Sequence, residues 1–159
     1  MTHDYLAPAW LPSGGEDPAA IERVLARPLT TGPEGWDGTG ADDDVLVWTV
    51  PPVDDGGAAR RALGYDVNVT LVFTDVSPAG AARERVLRAA VGAVASFAAV
   101  RGARMALFDE VTDDALALRL RDGRLTLNRL WDGWTRWPAL LDVVPPPHRY
   151  GVLRFGGRA

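Results

Sequence analysis

Residues 116–128 read LALRLRDGRLTLN, and this run constrains the fold more than any other. Leu116, Leu118 and Leu120 alternate with Ala117, Arg119 and Arg121. Leu125 and Leu127 alternate with Arg124, Thr126 and Asn128. A period of two is that of a strand with one buried face. Asp122-Gly123 stands between the two arms. A type I′ turn needs positive φ at both central residues, which only Gly, Asn and Asp adopt cheaply. The spacing therefore predicts an antiparallel hairpin with its leucines on one face and its arginines on the other.

The segments before the hairpin supply the layer that buries those leucines. YDVNVTLVF at 65–73 alternates Val67, Val69, Leu71 and Phe73 with polar residues and reads as a second strand. A helix is expected over about 78–100, because Val86, Ala90, Val94 and Phe97 recur on one stripe with Leu87, Val91 and Ala98 beside it. Arg83, Glu84, Arg85, Arg88 and Ser96 fall off that stripe, toward water. Ser77 suits the N-cap, Pro78 the first helical position, and Gly102 the left-handed residue past the end. A strand at 103–108 with Met105 and Leu107 follows.

Residues 1–12 read as an edge strand ending at Pro12, since Pro8 has no ladder donor, or else as a frayed end. Asp17-Pro18 opens a short helix to Arg27, with Ile21, Val24 and Leu25 as its apolar stripe. Residues 30–44 form a Gly- and Pro-rich loop ending in Asp42, Asp43 and Asp44. Those three are either a solvated loop tip or part of an acidic recognition surface. VLVWTV at 45–50 is apolar on both faces and reads as a central strand. DDGGAARRAL at 54–63 reads as a polar loop, which lets strands 45–50 and 65–73 form a wide hairpin. Gly133 and Pro138 limit any helix in 130–147 to a turn or two, and Pro145–Pro147 are extended. A last short strand lies within 150–155, and 156–159 fray. The expectation is a single α+β domain: an antiparallel-rich sheet of five or six strands with one long and one short helix packed on it.

Composition narrows the chemistry. The 159 residues include no cysteine, so disulfides and thiolate metal sites are excluded. All seventeen basic residues are arginine, and lysine is absent, as expected of a GC-rich genome. A net charge of −4 argues against a dedicated nucleic-acid binder. No apolar run is long enough to span a membrane and no secretory leader precedes the domain, which points to a cytoplasmic protein.

No catalytic or cofactor motif stands out. Ser13, Ser77 and Ser96 lie outside any G-x-S-x-G elbow. His3 and His148 are isolated. Asp109, Glu110, Asp113 and Asp114 lack the spacing of a calcium loop. A phosphate-binding P-loop needs the lysine this chain lacks. No cofactor and no metal are therefore expected. Six tryptophans remain, and Trp131, Trp134 and Trp137 recur every three residues. Tryptophan is enriched at interface hot spots, but it also plugs the open end of a core. Asp132, Arg136, Arg124 and Arg129 are candidates for a polar rim around it.

VNVTLVF, a helix of about twenty residues, ARMALFDE, DALALRLRDGRLTLNRLWDGWTRW and PPPHRYG follow one another in order. Over roughly Asp66–Gly151 this series resembles the immunity proteins that protect myxobacteria from their own swarming-inhibition toxins. The resemblance implies a non-catalytic protein that binds a cognate toxin and blocks it by occlusion, without cofactor, nucleic acid or membrane. The candidate contact residues are Trp131, Asp132, Trp134, Arg136 and Trp137, with Asp42, Asp43 and Asp44. An acidic chain would suit a basic toxin surface. Two other readings stand beside it: a small-molecule enzyme with a pocket between helix and sheet, and a structural or assembly subunit joined through the tryptophan segment.

Overall fold

A computed structural model describes residues 3–29, 45–52, 54–75, 83–110, 116–146 and 148–153. Seven strands form one mixed sheet: β1 (His3–Trp10), β2 (Val45–Val50), β3 (Val69–Asp75), β4 (Arg104–Asp109), β5 (Leu116–Arg121), β6 (Arg124–Asn128) and β7 (His148–Gly151). Their spatial order is β2-β3-β1-β4-β5-β6-β7. Neighbours are antiparallel except β6 and β7. The helices are α1 (Pro18–Leu25), α2 (Ala58–Leu63), α3 (Arg83–Phe97) and the single turn α4 (Gly133–Arg136), followed by a 3-10 helix at Pro138–Val143. The α+β class holds, with seven strands where five or six were expected. Among the described residues no helix is long and apolar enough to cross a membrane.

The core lies on one face of the sheet. Tyr5, Leu71, Phe73, Met105, Leu107, Leu118, Leu120 and Leu127 point to it, each 3% exposed or less. Val86, Leu87, Ala90, Val91, Val94 and Phe97 of α3 meet them, the stripe the 3.6-residue period predicts. Burying one such large apolar side chain is worth roughly 1.5–3 kcal/mol. Ile21 of α1 and Leu140 of the 3-10 helix extend the same layer. Local chemistry sets the ends as expected. Asp17 accepts the Ala20 amide at 3.2 Å, and Asp122 and Gly123 take φ of 53° and 73° in the β5–β6 turn. The proposed cap Ser77 and Pro78 lie outside the described residues.

Two strands exchange their expected places. β1, read as an edge, sits between β3 and β4, while β2, read as central, is the edge. Proline can enter because the β1–β4 ladder skips Ala7 and Pro8 while keeping its register on both sides. The buried Tyr65 hydroxyl donates to the Pro8 carbonyl at 2.7 Å, satisfying the acceptor that the gap leaves. Asn68 ties the end of β1 in the same way: Leu11 N–H donates to its Oδ1 at 2.9 Å, and its Nδ2 donates to the Leu11 carbonyl at 2.8 Å. For β2, two apolar faces reflect burial on both sides, not strand order. Val45 and Val47 join the core, Leu46 on the other face is fully buried, and Trp48 donates to Thr74 at 3.0 Å.

Residues 58–63, expected as loop, form α2. The Asp55 carboxylate starts it by accepting the Gly57 amide at 3.0 Å and the Ala59 amide at 2.9 Å. Those bonds, that from Ala59 foremost, hold the Asp55 carboxyl below the usual carboxylate range. The depressed pKa means the cap is complete above the ordinary unfolded value near 4 and is lost as pH falls through the lower folded value. A pH titration followed by NMR should show the Gly57 and Ala59 amide shifts moving together with a midpoint below that of a free aspartate. A midpoint at or above the free value would contradict this cap.

Candidate functional site

The tryptophan segment folds around a glycine. Gly133 begins α4, and the Trp131 ring lies so close over its Cα that no Cβ would fit. Trp131 meets Trp134 edge to face at 5.0 Å between centroids and lies 6.3 Å from Trp137. Trp134 is buried in the core, and Trp131 and Trp137 are half-buried against it. The cluster thus packs against the core, as expected of a plug at its open end. Asp132 and Arg136 are exposed and pair with each other at 3.0 Å, and the Arg136 guanidinium lies 5.2 Å over the Trp137 ring. They remain available at the surface, whereas Trp134 does not. Asp42, Asp43 and Asp44 lie outside the described residues.

The opposite sheet face carries a feature that motif reading passed over. Arg119 of β5 faces Thr126 of β6, which faces Arg149 of β7. In the next row Arg121 faces Arg124. With strands about 4.8 Å apart and a two-residue step of about 6.8 Å, four guanidinium stems share a patch roughly 10 by 7 Å. They line an open cleft of about 770 Å³, bordered by the chain at 150–153; Tyr150 is in register with Leu127, so its ring leaves the opposite face. Asp122 is the one carboxylate among the described lining residues, 4.0 Å from Arg121 and largely solvated. Arg149 donates to the Thr126 hydroxyl at 3.1 Å, which orients its guanidinium along the face. The hairpin alternation already placed Arg119, Arg121 and Arg124 together. Sequence reading missed that no described residue covers this half of the face and that Arg149 joins it through a parallel strand.

A buried amide holds the far side of this cleft. Asn128, 3% exposed, accepts the Leu130 and Leu153 amides on one oxygen, each at 3.2 Å. The Arg129 amide donates to Gly151 at 2.9 Å. The chain leaving β7 is thereby bound to the end of β6.

A second cleft, of about 430 Å³, lies on the same sheet face between α2 and strands β1–β3, with Leu6, Val50 and Val72 in its lining. Asp55 and Asp66 stand at it, which is the arrangement the enzyme reading asks for. Both carboxylates are engaged elsewhere, however. Asp55 caps α2, and Asp66 lies 3.7 Å from Arg60 with most of its side chain in water. A general acid is made by burial that raises a carboxyl pKa, and Asp55 is shifted the other way. At the end of β4, Asp109 faces Tyr5, whose hydroxyl is pushed up by burial first and by the Asp109 charge second. Glu110 is described and exposed, while Asp113 and Asp114 lie outside the described residues. Among the described residues, no three His, Asp or Glu side chains group to hold a metal ion.

No family model, no curated protein and no solved structure matches this chain.

Proposed function

We propose that this protein is an immunity protein, which binds a cognate toxin in the cytoplasm and blocks it by non-covalent occlusion. The observation that carries this reading is the open half of the second sheet face. Four arginines stand there, in a broad cleft on paired strands. Arginine is among the residue types enriched where protein interfaces concentrate their binding energy. The order of segments from Asp66 to Gly151 supports the toxin as partner. The contact surface moves accordingly from the tryptophan segment to the β5–β7 face.

The test is survival. The gene beside this one is expressed in a sensitive host with and without this protein. Growth arrest relieved by co-expression is the expected result, with at least about a hundredfold more survivors, since tight occlusion leaves little free toxin. A neighbour that kills equally in the presence of this protein, or that never kills, sinks the immunity reading.

A further inference from the structure

The chain as a whole is acidic, with seventeen arginines against twenty-one carboxylates. Yet the β5–β7 face gathers four guanidinium groups against one solvated carboxylate among its described residues. Arg121 and Arg124 sit directly opposite one another on paired strands, an arrangement that destabilises a sheet. Nothing in the packing of the hairpin calls for this, because its core face is made by leucines. We propose that this cleft docks an acidic segment of the partner protein, its carboxylates spread over Arg119, Arg121, Arg124 and Arg149. The inference rests on the reading that the chain binds a protein, but not on what that protein does.

Charge and size favour a carboxylate-bearing protein segment over a nucleic acid. A guanidinium fork matches a carboxylate bidentately, and side chains two residues apart on an extended segment repeat at about the step between the two arginine rows. A nucleic acid extends well past a patch roughly 10 Å wide and would meet a molecule of net charge −4. The direction of complementarity is therefore the reverse of that suggested by net charge alone: the described docking face is basic, and its partner is acidic there.

The probe is a fluorescent poly-glutamate peptide titrated into the full chain, with a poly-glutamine peptide and a single-stranded oligonucleotide as parallel arms. Poly-glutamate should bind, poly-glutamine should not, and affinity should fall as salt is raised. The triple variant R119E/R124E/R149E should lose at least about tenfold in affinity. The control R23E/R88E/R101E makes the same charge change at exposed sites of α1, α3 and the turn after it, and should lose less than about threefold. The single variant Arg124→Glu relieves the Arg121 repulsion, so it should fold with an unchanged or raised Tm and still lose affinity. It serves where the triple variant is unstable. No poly-glutamate binding, equal losses in both triple variants, or tighter binding of the oligonucleotide through the same arginines would overturn the proposal. The two readings separate cleanly in the survival assay. Protection by the native protein and equally by R119E/R124E/R149E removes the acidic docking and leaves immunity. Arginine-dependent peptide binding without protection removes immunity and leaves the cleft.

Discussion

Trp134→Ala should cost about 3–5 kcal/mol, the range for removing a large aromatic side chain from a core. Few single changes in this chain should cost more. Trp134 is 6% exposed, belongs to the main core and supports the Trp131 ring edge to face at 5.0 Å. Its loss opens a cavity beneath Trp131, whose ring lies over Gly133. Against a typical total stability of about 5–15 kcal/mol, such a loss is a large fraction. Trp134→Phe separates the causes. The indole Nε1 of Trp134 has no hydrogen-bond partner among the described residues, so phenylalanine gives up ring area but no bond. Its cost should be about 1–2 kcal/mol. Urea unfolding followed by far-ultraviolet circular dichroism measures both. An alanine variant within about 1 kcal/mol of the native protein would mean that the tryptophan segment is not part of the cooperative core.

Asn128→Leu should cost about 2–4 kcal/mol although it places a more apolar side chain of similar size in a buried site. One Asn128 oxygen accepts two backbone amides, from Leu130 and Leu153. Leucine leaves both without an acceptor, and a buried unsatisfied donor costs about 1–3 kcal/mol. The loss should be local as well as global. Hydrogen exchange at the Leu130 and Leu153 amides should speed up far more than at Leu118 or Leu120 in the hairpin. Because Leu153 borders the arginine cleft, binding of the poly-glutamate probe should weaken in step. Unchanged protection at those two amides would show that Asn128 does not hold the end of β7.

Much of the fold follows from local pattern. Alternation and the Asp-Gly turn specify the hairpin down to which residues share a face. The apolar stripe from Val86 to Phe97 specifies α3 and the surface it buries. Asp17 and Pro18 specify where α1 begins. These readings hold because each depends on chemistry within a few residues of chain. Helix α2 was hidden because its six residues bury no side chain, so no apolar period marks them. The signal was Asp55, which caps the helix from outside its own span.

Strand order had no such local signature. Pro8 argued for an edge, but a tyrosine 57 residues away in sequence supplies the hydrogen bond that lets it stand inside the sheet. The apolar faces of β2 argued for a centre, but they record only that both faces are covered. The tryptophan repeat behaved likewise. Its spacing placed three rings together, while only the packing of the sheet determined that Trp134 points into the core with the other two against it. The arginine face divides along the same line. The sequence by itself put Arg119, Arg121 and Arg124 on one side of a hairpin. Only the tertiary structure left that side uncovered by the described residues and brought Arg149 to it through β7, because pairing between distant strands depends on what each can bury and satisfy, not on the pattern within either.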